Sequence, residues 1–204
     1  MRVFWLTLVC FLLPIQALGF HLKTPKIDIN TLKISHLYGE ITFKMSSRFI
    51  WEQFNTVGIS GDRLVIIDSP GGSVQAGNAI LASLMAEQKM GTKLVCVVTG
   101  EADSMAFNIL SHCDVRLAVK NAHLLFHHVA LKDFPPNLRI TAKNIRNVAL
   151  EMDKIDESFC AYNAAALHLP RVLYEKLSDA EADWTAKELV ARNYLDGIVT
   201  LPHE

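Results

Sequence analysis

The strongest constraint in the sequence is a unit that recurs: a short unbroken apolar run, a turn of small residues, then a helical pattern. Arg63 to Ile67 leads into Pro70-Gly71-Gly72-Ser73 and a helix over Val74 to Met90. Leu94 to Val98 leads in the same way through Gly100-Glu101-Ala102-Asp103 into a helical run from Ser104 to Ser111, and Asp114 to Val119 begins the next strand. Continuous apolar strands alternating with helices predict an α/β fold with a mostly parallel sheet covered on its faces. Ligands collect beyond the carboxyl ends of strands in such sheets. Both small-residue turns fall there.

The remaining elements fit around this frame. Leu32 to Leu37 alternates as a strand does and ends at Tyr38-Gly39, and Ser46-Ser47 is expected to cap a helix with Ile50, Phe54 and Val57 on its apolar side, stopped by Gly58. In the helix from Val74, Ile80, Leu81, Leu84 and Met85 form the apolar side and Gly91 is the stop. Pro135-Pro136 excludes regular structure before a long helix, Thr141 to Leu167, with Ile145, Val148, Met152, Ile155, Phe159 and Tyr162 in one stripe. That stripe either packs on its own domain or serves self-association. Leu169-Pro170 ends the helix, and Trp184 to Val199 supplies a last helix and a short strand.

Ser104 sits on a strand-to-helix turn, a position suited to a nucleophile. Such a serine needs a base and donors for the oxyanion that develops on the attacked carbonyl. His127 closes the apolar run Leu124-Leu125-Phe126, and with that run as a strand beside Leu94 to Val98 the imidazole emerges near Ser104. His128 competes for the role, because neighbouring strand residues point to opposite faces. The backbone N–H groups of Gly71, Gly72 and Met105 are the candidate oxyanion donors. Taken singly, Ser104 reads as a helix N-cap and His127 as a hydrogen-bonded structural residue; the combination is what points to catalysis.

Taken together, Ser69-Pro70-Gly71-Gly72-Ser73-Val74, Gly100-Glu101-Ala102-Asp103-Ser104-Met105 and Asn121-Ala122-His123-Leu124-Leu125-Phe126-His127 resemble the proteolytic subunit of the Clp protease, within the ClpP/crotonase superfamily. The similarity runs from about Ile34 to Val199. It implies repeated β-β-α units, a projecting long helix and a serine endopeptidase acting on peptides or unfolded protein, with no cofactor. It places the nucleophile on Ser104, the base on His127, favoured over His128 by the apolar triplet before it, and oxyanion donors on Gly71 or Gly72 and Met105. The position of the orienting aspartate falls on Leu177, which cannot orient an imidazole; Asp179 is the favoured replacement, with Asp183 and Glu181 as alternatives. Asp103 also departs from the small residue usual before the nucleophile. It either opposes the oxyanion or points away. The resemblance further implies a homo-oligomer, here through the helix at 141–167. A second reading keeps the fold as a catalytically weak or inactive scaffold that binds extended peptides. The Ser104-Met105 pair, His127 and an exported location, where CoA esters are not expected, disfavour crotonase-type acyl-CoA chemistry, and a lysine-based site on Lys120 or Lys143 lacks a matching motif.

Near-neutral balance, a net charge of −1, leaves no electrostatic footprint for nucleic acid, and the eight histidines show no metal-ligand spacing, so no metal site is expected. Residues 1–19 read as a signal peptide: Met1-Arg2, an apolar run from Val3 to Leu13, then Ala17-Leu18-Gly19 before Phe20. The peptidase domain is then 20–204. Export to the periplasm or outside follows; uncleaved, the same run would anchor the chain to the membrane. An oxidising compartment permits a disulfide, and Cys96 with Cys113 is the expected pair, on adjacent strands, with Cys160 left over.

Overall fold

In the computed structural model, residues 32–56, 61–131 and 139–199 are described. The leader expected at 1–19, Val57, Gly58 and Pro135-Pro136 lie outside them. The sheet is built from β1 (Lys33–Tyr38), β2 (Arg63–Ser69), β3 (Leu94–Asp103), β4 (Val115–Val119), β5 (His123–Phe126), β6 (Ala182–Thr185) and β7 (Gly197–Val199). Its main path runs β1-β2-β3-β4-β7, and every pairing on it is parallel. Helices α1 (Phe43–Phe54), α2 (Val74–Lys89), α3 (Met105–Ser111), α4 (Ala142–Ala166), α5 (Arg171–Asp179) and α6 (Ala186–Ala191) complete the α/β architecture.

One layer of apolar side chains joins the sheet to its helices: Val65, Ile67, Cys96 and Val98 from the central strands meet Phe49, Ile80, Leu84, Phe107 and Ile109. Each Leu- or Phe-sized side chain buried in this way contributes about 1.5 to 3 kcal/mol. A charged pair is sealed into the same interior. Arg63, at the start of β2 and fully buried, donates through Nε and Nη2 to Glu87 of α2 at 2.5 and 2.6 Å, and through Nη1 and Nη2 to Ser35 and Thr56 at 2.7 and 2.8 Å.

Several details depart from the sequence-based expectation. Helix α1 begins earlier than Ser46, because extended Thr42 accepts the Met45 N–H at 3.2 Å and takes the cap; Ser46 is buried inside the helix, and Phe49 and Gln53 face the core while Phe54 is exposed. Strand β3 runs on to Asp103, well past Val98. The extension starts at a register shift between Ile67 and Ser69, where bare Gly100 lies against the Asp68 carboxylate and the Glu101 N–H donates to Asp68 Oδ1 at 3.1 Å. This changes the neighbours. β4 takes the place beside Val95 to Val98 that was expected for Leu124 to Phe126, and β5 pairs instead with Glu101 to Asp103.

Cys96 and Cys113 are joined by a disulfide with Cα atoms 6.0 Å apart; Cys113 lies in the turn before β4 rather than on a strand, and Cys160 is free and buried. Trp184, expected in the last helix, belongs to β6, which pairs antiparallel with β5. Helix α4 has the expected limits, capped by Thr141. Only Cys160, Asn163 and Ala164 near its C-terminal end are fully buried; of the stripe expected at Ile145 to Tyr162, Phe159 packs against the core, Val148, Met152 and Ile155 are half-buried, and Ile145 and Tyr162 are exposed. No described helix is long and apolar enough to cross a membrane.

Candidate active site

The β3 extension decides the geometry. Ser104 follows it directly, its N–H donating to the Leu125 carbonyl of β5 at 2.8 Å, which pins the turn to the strand that leads to His127. The residue has φ 53 and ψ −118, a region normally left to glycine. Although Ser104 stands at the N-cap position of α3, its side chain makes no capping bond. The hydroxyl is therefore spent on neither the helix nor, among the described residues, any other hydrogen bond.

Two loops pack on this turn. Gly71 has φ +85, and a Cβ there would lie 2.5 Å from the Asp103 carbonyl and 2.8 Å from Ser104 Cβ, so only glycine allows the approach. The Gly71 N–H donates to Ser69 Oγ at 3.2 Å and is thereby used. Gly72 is held by a parallel bridge to Ile41, through bonds that leave its own N–H out. Met105, the first residue of α3, has an N–H that the helix cannot satisfy. Among the described residues neither the Gly72 nor the Met105 amide has an acceptor. Both residues line one cavity of about 60 Å3 with Ser104, His127 and His128.

The two histidines differ sharply. His127 Nδ1 bonds the carbonyl of His128. A carbonyl can only accept, so Nδ1 carries the proton and Nε2 of the neutral ring is left with the lone pair. His128 is clasped by carboxylates on both ring nitrogens, Nδ1 to Asp156 Oδ2 at 2.5 Å and Nε2 to Asp179 Oδ1 at 2.9 Å. Burial works against its charge, but the bonds to Asp156 and Asp179 outweigh that and raise its pKa above the ordinary value. With both ring nitrogens bonded to carboxylates, neither is free to accept a proton from Ser104.

Asp179, expected beside His127, thus sits on the neighbouring imidazole. The reason is its place at the end of α5, from which it meets the outward ring. Leu177 packs against the core. Glu181 has φ 45 in the following turn, and Asp183 contacts His123 Nε2 at 2.9 Å. Asp103 turns away from the cavity: its Oδ1 meets His123 Nδ1 at 2.9 Å. Burial pushes the Asp103 carboxyl up, and the imidazole only partly offsets this. Cys160 also lines the cavity, but burial, then the Asp156 charge, pushes its thiol up to about 11, which disfavours a free thiolate nucleophile at neutral pH.

A turn before a helix, a freed hydroxyl, paired amides and an oriented imidazole at one sheet edge agree with what sequence comparison finds. The chain matches the Clp protease family over residues 31–200. It belongs to that family. It is 31% identical over 137 residues to the ATP-dependent Clp protease proteolytic subunit 1 of Chlamydia caviae and, equally, to that of Chlamydia pneumoniae, covering 66% of this chain and 68% of each relative. Clp protease membership supports serine-peptidase chemistry, and members of the family form oligomers and bind peptide substrates.

Proposed function

We propose that this chain is an exported serine endopeptidase of the Clp type. Ser104 Oγ attacks a peptide carbonyl, its proton passes to His127 Nε2 and then to the departing amine, and water hydrolyses the resulting ester by the same route. The Gly72 and Met105 amides receive the oxyanion, Gly71 holding the loop in place. The observation that carries this reading is the uncapped Ser104 hydroxyl at a strained turn, in one cavity with an imidazole whose Nδ1–H is already committed. Here the His128 carbonyl does the orienting that a carboxylate does in a Ser-His-Asp triad, and Asp179 acts through His128. Losing a triad carboxylate costs about four orders of magnitude in turnover, so slow cleavage is expected.

Export rests on the leader at residues 1–19. Outside the cytoplasm there is no ATP to drive an unfoldase, so the substrates are peptides and unfolded segments that enter unaided. Assembly into a homo-oligomer proceeds through the open face of α4. Labelling by a serine-directed fluorophosphonate tests the chemistry: Ser104→Ala should abolish it and His127→Ala should slow it by orders of magnitude. Labelling that survives Ser104→Ala defeats the proposal. One observation favours the scaffold reading: among the described residues, no carboxylate meets His127. Peptide binding with no labelling of Ser104 would select it.

A further inference from the structure

Beside Ser104 lies a cluster of which the hydrolytic reading uses only His128, as support for His127, leaving Asp156 and Cys160 without a role. His128, Asp156 and Cys160 each offer one ligating atom, and these atoms all lie within 4.8 Å of one another. Asp156 and Cys160 are one turn apart on α4 and share a face; the Cys160 thiol is 3.9 Å from Asp156 Oδ2. We propose that these three side chains form a zinc site in the wall of the Ser104 cavity.

The surroundings of the cluster are what a metal site requires. A ligating histidine characteristically donates its other ring N–H to a carboxylate, which fixes its tautomer and aim; His128 Nε2 does this to Asp179 Oδ1 at 2.9 Å. The second oxygen of Asp156 is held as well, accepting the Val129 N–H at 2.8 Å, which leaves Oδ2 for the metal. One imidazole nitrogen, one thiolate and one carboxylate oxygen make a donor set that suits Zn2+ and does not suit Mg2+ or Ca2+, which take oxygen ligands. Zinc would replace two protons, one on His128 Nδ1 and one on Cys160, both released to solvent. The Nδ1 to Oδ2 separation opens from 2.5 Å to the roughly 3.3 Å that two ligands span around a tetrahedral ion bonded at about 2 Å. With three protein ligands, a fourth position stays open for water. The role also accounts for Cys160, the buried thiol left over once Cys96 and Cys113 pair.

The experiment titrates the purified full chain with Zn2+ against a chromogenic chelator, and with Co2+ while recording its spectrum. One equivalent should bind, with a sulfur-to-cobalt charge-transfer band in the near ultraviolet. Cys160→Ser should remove that band, Asp179→Asn should weaken zinc binding by about 10- to 100-fold, and Asp183→Asn should leave it unchanged. Ser104→Ala should bind zinc like the parent chain, so the metal site and the nucleophile stand or fall separately. No stoichiometric binding, a cobalt complex without the sulfur band, or a Cys160→Ser protein that folds and keeps wild-type affinity overturns the proposal; should Cys160→Ser not fold, the parent's cobalt spectrum decides.

Discussion

At Ser104 the backbone conformation and the hydroxyl serve opposing ends. A non-glycine residue at φ 53 and ψ −118 costs on the order of 1 to 3 kcal/mol, while glycine there forfeits about 0.5 to 1 kcal/mol of chain entropy. Ser104→Gly should therefore gain up to about 2.5 kcal/mol and raise the melting temperature in a circular-dichroism scan, while abolishing fluorophosphonate labelling. A lower melting point would mean that the turn is not strained. His123 makes a second residue-scale case. It bridges Asp103 of β3 and Asp183 of β6, with Glu101 also on the adjoining stretch. Burial disfavours its charge, yet Asp103 and then Asp183 raise its pKa above the ordinary 6.5. A raised folded-state pKa means stabilisation that is full below the unfolded value and fades as pH climbs through the folded one. The melting-temperature gap between the parent and His123→Gln should be larger at pH 6 than at pH 9; a gap that widens with alkali would contradict the assignment.

Between elements, the firmest constraint is the Arg63–Glu87 pair that ties β2 to α2. Breaking a buried pair from one side strands an uncompensated charge and costs about 3 to 5 kcal/mol. Urea unfolding of Glu87→Gln should show a loss of that size, and the combined Arg63→Met/Glu87→Leu change should recover most of it. A loss under 1 kcal/mol for Glu87→Gln would show that the pair is not sealed from water. Nothing in the sequence around Arg63 announces this bond, because its partner is 24 residues away on another element. The strands other than β6, and α2 to α4, were legible, since each carries its own periodicity or stop signal. The cap of α1 was not: Ser46 and Thr42 are both good caps, and which one wins depends on where β1 delivers the chain. The same distinction runs through the site. Ser104 and the glycine loop follow from local turn chemistry, whereas the attachment of Asp179 to His128, and the meeting of His128 with Asp156 and Cys160, depend on how α4 and α5 return across the end of β5.

For the molecule as a whole, α4 is the feature that a single chain leaves unfinished. Ile145 is 45% exposed and Tyr162 40%, on a helix of 25 residues whose burial is confined to its final turns. Lys143 and Arg146 near its N-terminal end are placed against its dipole, and Glu151, Asp153 and Glu157 follow in its middle, with Lys154 among them paired to Glu151. Two antiparallel copies would set the basic end of one against the acidic middle of the other while covering the stripe, a pairing in which each isoleucine-sized side chain buried is worth about 1.5 to 3 kcal/mol. Sedimentation velocity of the parent chain should show an oligomer that Ile145→Glu/Met152→Glu converts to smaller species, without loss of helical signal because neither position is in the core. Adding Lys143→Glu/Arg146→Glu alone should weaken assembly more at low salt than at high salt. A parent that sediments as a monomer at every concentration, or a double variant of unchanged size, would leave the helix without this role.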